Sequence, residues 1–260
     1  MYADAHGHWS DKRVSDELRN QWFQECSQNN IVYFLEAGVD PKGWVRQKKL
    51  VEQYPQNFKN SFGLHPYFVA QSSSDECEQA LDALVLLLPQ SSALGETGLD
   101  FRAQYAEEQA TLRQIEFFEN QIQLAKAYKK PLVLHIVKAH NEALKILNLW
   151  DAGEVGGMVH SFNSSIDVAE SYLDLNFFIS VGGAVTYPKN AKLREAISKI
   201  PLERLLIESD CPDQSPQGWQ KEINSPLSVL NVAQSVAEIK NIEILEVLEK
   251  TTSNFKSLFR

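Results

Sequence analysis

Short apolar runs alternate with amphipathic segments along the whole chain. Eight of the runs are short enough for buried strands, and several are rich in Val, Ile and Phe, which favours strands. The runs are MYADAHGH, IVYFLEAG, NSFGLHP, SALGETGLD, PLVLHIV, GGMVHSF, FFISVGG and LLIESDCP. In the segments between them apolar residues recur three or four positions apart, most clearly over 106–128, and two further helices are predicted over 225–260.

Strands that alternate with helices predict a parallel sheet, and eight such units predict closure into a (β/α)8 TIM barrel, an α/β fold. A length of 260 residues suits one barrel domain over 1–260. An open doubly wound sheet is the alternative. The only long irregular loop, CPDQSPQGWQKEINSP, follows the eighth strand, on the side where such barrels build their active sites.

Charge and cysteine content narrow the function classes. The chain has 34 Asp and Glu against 25 Lys and Arg, a formal charge of -9, so no basic surface invites a long polyanion and an anionic substrate needs a local attractor such as bound metal. The 3 cysteines are scattered without a C-x-x-C pair, which argues against a disulfide framework or a thiolate zinc site. With no leader or membrane-length apolar run, we expect a cytoplasmic protein that does not engage a membrane.

Polar side chains recur at the ends of the predicted strands. They are His6, His8, His65, Glu96, His135, His160 and Asp210. In a closed barrel these strand ends surround one mouth. A lone histidine at a strand end is more often a hydrogen-bonded core residue than a ligand, but this many side chains obeying one positional rule indicate a site. The sixth histidine, His140, begins a helix and is predicted to lie on the surface.

The composition of this set indicates divalent metal. Carboxylates packed among imidazoles without a cation cost several kcal/mol each, and a metal removes that cost. Nitrogen and oxygen ligands without sulfur suit Zn, Mn, Co or Mg, with the histidine number favouring Zn or Mn. Six ligands exceed one tetrahedral zinc, so we expect two ions with Glu96 between them.

Six motifs in order give the chain a specific resemblance over essentially its full length. They are DAHGH, GLHP, LGETGLD, PLVLH, VHSF and LLIESDCP. The chain resembles the TatD-type family of metal-dependent hydrolases, which is related to the amidohydrolase superfamily. The resemblance implies that His6, His8 and Asp210 hold one metal with Glu96, while His135 and His160 hold the second with the same Glu96. It also implies hydrolysis of phosphodiesters, usually of DNA and typically from an end.

From the resemblance, the charge and the shape of a barrel mouth we predict a 3'-5' exodeoxyribonuclease that acts on single-stranded or frayed DNA ends through a water activated by two metals. Asp210 is predicted to take the proton and Glu96 to bridge the ions. His65 is predicted to position substrate or transfer a proton, with core hydrogen bonding as the alternative. The oligomeric state is left open.

Several residues are predicted to support the site. Glu208 and Asp4 are each two or four positions from a ligand on the same strand, so they are expected to orient ligand imidazoles. Arg102 and Lys138 are candidates to contact phosphate, although a lone basic loop residue is usually solvated. Cys211 is expected to pack rather than ligate.

Two positions depart from the family pattern. The family often has Ser-Arg after the histidine of the fifth strand, whereas this chain has Ile136 and Val137, followed by Lys138. After VHSF the family usually has Ser-Gly, and here Asn163 and Ser164 follow. Because these positions are predicted to line the barrel mouth, the departures bear on substrate preference and leave the metal ligands unchanged.

Three alternatives stay open. A hydrolase of amides, lactones or other esters on the same metals predicts a bridging lysine carbamate, where this chain has Glu96. A PHP-type phosphoesterase usually ends with an Asp-x-His ligand pair, where this chain has Asp210, Cys211 and Pro212. A metal-binding scaffold without turnover is the alternative from a different class.

Overall fold

The computed structural model describes residues 1–260 and contains eight parallel strands in one sheet, ordered β1 to β8 as in the chain. The strands are β1 (Tyr2–Gly7), β2 (Ile31–Ala37), β3 (Phe58–Phe62), β4 (Ala93–Asp100), β5 (Leu132–Val137), β6 (Gly157–Val159), β7 (Phe177–Val181) and β8 (Leu205–Ile207). The last strand returns to the first, since Asp210 N–H donates to the His6 carbonyl at 3.0 Å and His8 N–H donates to the Cys211 carbonyl at 2.8 Å. The predicted (β/α)8 barrel is confirmed.

Helices follow the strands around the outside of the barrel. They are α1 (Asp16–Gln28), α2 (Pro41–Gln53), α3 (Pro66–Gln71), α4 (Ser74–Leu87), α5 (Glu108–Tyr128), α6 (His140–Leu149), α7 (Ile166–Asp174), α8 (Ala191–Lys199), α9 (Val229–Lys240) and α10 (Ile244–Leu258). No helix combines the length and apolarity that crossing a bilayer would require.

Local sequence signals start several of these helices. Ser73 caps α4 by accepting from the Glu76 N–H at 3.2 Å, and the Glu76 carboxylate accepts from the Ser73 N–H at 2.8 Å, a capping box. Asp40 caps α2 ahead of Pro41. Such caps satisfy backbone donors at helix ends and fix where the chain turns away from the barrel mouth.

Two apolar layers hold the barrel together. The larger packs the outer faces of the strands against the helices, and it includes Trp22, Phe118 and Ile122. The smaller fills the barrel interior with side chains from six strands and is continued by Phe255 and Phe259 at the end of the chain. The interior strand residues of this layer are Ala3, Ala5, Leu35, Ala93, Val133, Met158 and Leu206. Phe255 and Phe259 close one end of the barrel interior, and the predicted polar side chains lie at the opposite end.

The strands are shorter than the apolar runs that predict them. His65, His160 and Asp210 were expected to end their strands, but they lie beyond β3, β6 and β8. Asp210 has φ 53°, and Ser161, next to His160, has φ 47°. Both left-handed residues lie after the strand ends, so the backbone leaves its extended course beside these two candidate ligands.

Candidate metal centre

Glu96 stands at the centre of the barrel mouth with its two oxygens facing different histidines. Oε2 lies 3.5 Å from His6 Nε2 and 3.4 Å from His8 Nε2. Oε1 lies 2.8 Å from His160 Nε2 and 3.3 Å from His135 Nδ1. The carboxylate is 1% exposed. Each oxygen of Glu96 therefore faces a separate pair of imidazoles.

Asp210 lies beside the first of these imidazole pairs. Its Oδ1 lies 3.7 Å from His6 Nε2 and 3.5 Å from His8 Nε2. In the second pair, His135 Nδ1 and His160 Nε2 lie 3.0 Å apart. The structure thus brings together the six residues predicted as ligands, in the grouping that the resemblance implies.

The donor set fits divalent metal. Two ligands about 2.1 Å from a tetrahedral ion lie about 3.4 Å from one another, close to the separations seen here. His6 Nε2 and Glu96 Oε2 are buried and have no hydrogen-bond partner. Buried polar atoms without partners are rare and costly, and a shared cation would satisfy both.

Neighbouring groups orient the imidazoles. His8 Nδ1 lies 3.1 Å from the Ala37 carbonyl, which can only accept, so a neutral His8 carries its proton on Nδ1 and presents the lone pair of Nε2 to the cavity. His135 Nε2 lies 3.4 Å from Asp100 Oδ2, which favours protonation there and leaves Nδ1 facing Glu96. Gly98 lets β4 approach β5 beside His135, since a Cβ at that position would lie 2.2 Å from the His135 carbonyl oxygen.

The ionisation of the cluster follows from burial and from its charges. Burial opposes the charge of Glu96, but the imidazoles of His160, His6 and His65 outweigh it and hold the pKa of Glu96 well below its usual range. Burial likewise opposes protonation of His8, yet the carboxylates of Asp210 and Glu96 raise its pKa to about 10. Without a cation the cluster holds protons, so metal binding must release them.

His65 lies at the same cavity in a different role from the other histidines. Its Nδ1 accepts from the Tyr67 N–H at 3.0 Å and so caps α3. Burial, followed by the neighbouring His135, lowers the pKa of His65 well below its usual value, so the ring is neutral and carries its proton on Nε2. This Nε2 lies 3.6 Å from Glu96 Oε1, and His65, Glu96 and His135 place ligand atoms close enough together to share a metal ion.

Glu208 lies where the sequence predicts it, beside a ligand imidazole. Its Oε1 is 3.5 Å from His160 Nδ1 and accepts from the Ser161 N–H at 2.6 Å, while Oε2 accepts from the Ser180 hydroxyl. These bonds fix the carboxylate, so it can accept a hydrogen bond from a proton on His160 Nδ1. Its importance for metal binding stays a prediction.

The prediction for Asp4 is wrong. Its carboxylate accepts from the Ser209 N–H at 2.8 Å and from the Ser209 hydroxyl at 2.6 Å, and it contacts no ligand imidazole. The register of β1 shifts between Asp4 and Gly7, which breaks the alternation that would place Asp4 on the face of His6. Burial raises the pKa of Asp4 to about 8. Asp4 therefore links β1, through these two hydrogen bonds, to the segment that follows β8.

The two predicted phosphate contacts have different positions. Arg102 lines the cavity, but its guanidinium is bound to Asp100, with Nε 2.9 Å from each carboxylate oxygen. Lys138 is exposed just after β5 and does not line the cavity. Neither presents an unpaired cation beside Glu96.

His140 is not the surface residue that was expected. It is half-buried at the start of α6, where its Nδ1 lies 3.1 Å from the Tyr172 hydroxyl. Burial lowers the pKa of His140 to about 4. Cys211, in contrast, is buried and unpaired as expected, like Cys26 and Cys77.

Sequence reasoning missed three polar residues that shape the site. Asp100, the last residue of LGETGLD, orients His135 as described. Glu36 is buried in β2 and accepts from the Trp9 and Ser10 N–H groups at 2.8 and 3.0 Å, which fixes the loop after His8. Gln214 donates to Asp210 Oδ2 at 2.5 Å. A carboxylate inside an apolar run is the signal for the first two.

A cavity of about 410 Å³ at the barrel mouth is lined by the candidate ligands His8, Glu96, His135, His160 and Asp210. Arg13 crosses one side of it, bound to Asp213 at 2.7 and 2.9 Å and to Asp11 at 2.9 Å. Tyr67 and Val39 also line it. The cavity is polar, acidic and open to solvent on one side, which suits a small polar group brought against the metal ligands.

Comparison with known proteins agrees with this architecture. The family model described as TatD related DNase matches residues 3–260. The uncharacterized metal-dependent hydrolase YabD of Bacillus subtilis is 31% identical and covers 100% of this chain and 99% of its own. The uncharacterized metal-dependent hydrolase YcfH of Escherichia coli is 37% identical over 90% of this chain and 86% of its own.

The crystal structure of YjjV, a TatD homolog from Escherichia coli, superposes with a TM-score of 0.88 at 29% identity and covers 99% of this chain and 97% of its own. The match spans the barrel and every strand end that carries a candidate ligand. The chain therefore belongs to the TatD family of metal-dependent hydrolases.

Proposed function

We propose that this hydrolase cleaves phosphodiester bonds at single-stranded or frayed DNA ends and releases nucleotides stepwise in the 3'-5' direction. The observation that carries the proposal is the carboxylate of Glu96, whose two oxygens face separate histidine pairs. Paired cation sites a few Å apart are typical of enzymes that displace groups at phosphorus. The direction of cleavage rests on the family resemblance alone.

The residues that would hold the ions fall into two sets that share Glu96. His6, His8 and Asp210 would hold one ion, and His135 with His160 the other. Two divalent ions, of Zn, Mn, Mg or Co, would lower the pKa of a coordinated water and neutralise the charge that develops on a phosphoryl oxygen.

The chain's own side chains would orient the substrate and handle the proton. Asp210 lines the cavity, and Gln214 holds its Oδ2, so Oδ1 points toward His6 and His8 and is placed to accept the proton of the attacking water. The Nε2–H of His65 is available to donate to a non-bridging oxygen of the diester. Arg102 and Arg13 would line the cavity without binding phosphate directly, because carboxylates already pair with both guanidinium groups.

The shape of the mouth supports attack at an end. The cavity is small and walled by loops from several strands, and the ion pairs of Arg13 narrow it further. A strand terminus or a flexible single strand can place one phosphodiester at Glu96, whereas a rigid duplex can do so only after fraying. The DNA partner is thus proposed to be a strand end.

The experiment compares three substrates with protein loaded with each metal in turn. End-labelled single strands should be shortened stepwise from the 3' end, blunt duplex more slowly, and covalently closed circles not at all. Glu96→Gln serves as the inactive control. Rapid internal cutting of the closed circle would refute end-directed action, and absence of turnover on any phosphodiester would favour another ester or amide substrate or a non-catalytic scaffold.

A further inference from the structure

A second cavity, of about 690 Å³, adjoins the metal centre. Loops that follow β6, β7 and β8 form it, and its lining residues are Asn163, Ala184, Tyr187, Lys189, Asn190, Gln214 and Ser215. Gln214 also lines the metal-site cavity. The two spaces therefore lie on either side of Gln214.

The Gln214 side chain is fixed on both sides. Gln214 Nε2 donates to Asp210 Oδ2 at 2.5 Å, and Gln214 Oε1 accepts from the Ser161 hydroxyl at 2.8 Å. Its backbone has φ 50°. A side chain whose donor and acceptor are both engaged keeps its place, so the second cavity has a defined distance and direction from the metal ligands.

The polar and aromatic groups of the second cavity are suited to binding a nucleic-acid base. Asn190 Nδ2 donates to Asn163 Oδ1 at 3.0 Å and to the Ala184 carbonyl at 3.3 Å. Asn163 Nδ2 and Asn190 Oδ1 remain free, so the pair offers one donor and one acceptor side by side. The hydroxyl of Tyr187 donates to the Ser215 carbonyl at 3.2 Å, which anchors an aromatic ring in the wall. Side-chain amides form hydrogen bonds with the edges of nucleic-acid bases, and the faces of the bases stack on aromatic rings.

Charge separates the second cavity from the first. The metal-site cavity contains several carboxylates, and its two arginines are both paired with them. The second cavity contains no carboxylate, and Lys189, whose Nζ lies 6.0 Å from the centre of the Tyr187 ring, forms no ion pair. In a chain of charge -9, an ammonium group without a carboxylate partner is chemically suited to an anionic group such as a phosphate.

We propose that this cavity binds the nucleotide next to the scissile phosphodiester, with its base against Tyr187 and the amide pair and its further phosphate on Lys189. The proposal rests on the proposed function and makes it specific. It assigns substrate selection to the loops that follow β6, β7 and β8. An acidic peptide would use Lys189 but would gain little from the aromatic wall.

The test compares two diesters of different length on the metal-loaded enzyme. Methyl p-nitrophenyl phosphate has the scissile diester but no second phosphate, and a single-stranded hexamer, in deoxy and ribo forms, has both. For Lys189→Ala and Tyr187→Ala we expect KM for the hexamer to rise at least fivefold with kcat within twofold. We expect kcat/KM for the small diester to change less than twofold.

Two matched substitutions control for effects of removing a lysine that are unrelated to the cavity. Lys192→Ala removes an exposed lysine that also forms no ion pair and lies outside the cavity, and both substrates should be turned over as before. Lys189→Arg should recover most of the hexamer KM. Fluorescence anisotropy with a labelled, phosphorothioate-linked hexamer should show the same loss of affinity for Lys189→Ala without turnover.

The outcomes separate this proposal from the one it rests on. If the unmodified enzyme hydrolyses neither diester, the proposed function fails. If it hydrolyses both and the two alanine variants leave the hexamer unaffected, or impair both substrates equally, only the second cavity is misassigned. Hydrolysis of the small diester without any binding of either hexamer would likewise overturn the nucleotide as its occupant.

Discussion

Replacing Glu96 by Gln should weaken metal binding at both imidazole pairs while leaving the barrel folded. The substitution keeps the volume of the side chain but exchanges one oxygen for an amide nitrogen and removes the charge. Because Oε1 and Oε2 serve different histidine pairs, either orientation of the amide deprives one pair of its oxygen and weakens the other. Neither apolar layer of the barrel contains Glu96.

The magnitude follows from linkage between binding and folding. An ion present at a hundred times its Kd stabilises the folded state by about 2.7 kcal/mol. With an unfolding entropy of about 2.1 cal/mol/K per residue, a chain of 260 residues gains about 5 °C in Tm for one ion and about 10 °C for two. Glu96→Gln should show almost none of this shift.

The assay is thermal unfolding of chelator-treated protein, with and without Zn or Mn, together with calorimetric titration to count the ions. Glu154→Gln, at the far end of the barrel where it pairs with Lys126, is the matched control and should keep the full shift. The metal-free Gln variant should melt within a few degrees of the unmodified protein. A metal-induced shift as large in Glu96→Gln as in the unmodified chain would refute the placement of Glu96 between two ions.

Three further predictions concern groups around the site. Glu208→Gln and Asp100→Asn should each lower metal affinity about 10–100-fold in calorimetry, because His160 and His135 lose the carboxylates beside them; unchanged affinity would contradict that role. His140 has a folded-state pKa of about 4, so as pH falls from 6.5 only the unfolded chain gains its proton and stability falls. In urea unfolding of metal-free protein, His140→Gln should remove roughly 2 kcal/mol of the loss between pH 7.5 and 4.5, and an identical slope would exclude His140. DNA affinity should follow salt with a shallow log–log slope, about −1.4 for two phosphate contacts; a slope several times steeper would reveal an extended basic surface.

The positions of the ligands were predictable because strand ends in a parallel barrel meet at one mouth. His135 and Glu96 needed only their place in an apolar run to be assigned correctly to the cluster. Asp4 could not be placed this way, since alternation along β1 holds only up to the register shift before Gly7. A one-residue irregularity reverses the direction of a side chain, and no local pattern in the sequence marks it.

Residues that act through a partner were harder to foresee. Asp100 looks like an ordinary polar strand end until its distance to His135 is known. His140 looks exposed at a helix start, and its burial depends on Tyr172 from the following helix. These roles are set by tertiary packing, which spacing along the chain does not encode.

The first metal site straddles the seam where β8 closes on β1, with His6 and His8 on one side and Asp210 on the other. More than two hundred residues separate the two sides in the chain. During synthesis the early histidines emerge long before their carboxylate partner, so this site comes into existence only when the last strand has docked. We therefore expect a metal ion at these residues to be bound only late in the maturation of the polypeptide, and a cut that frees β8 should weaken its binding.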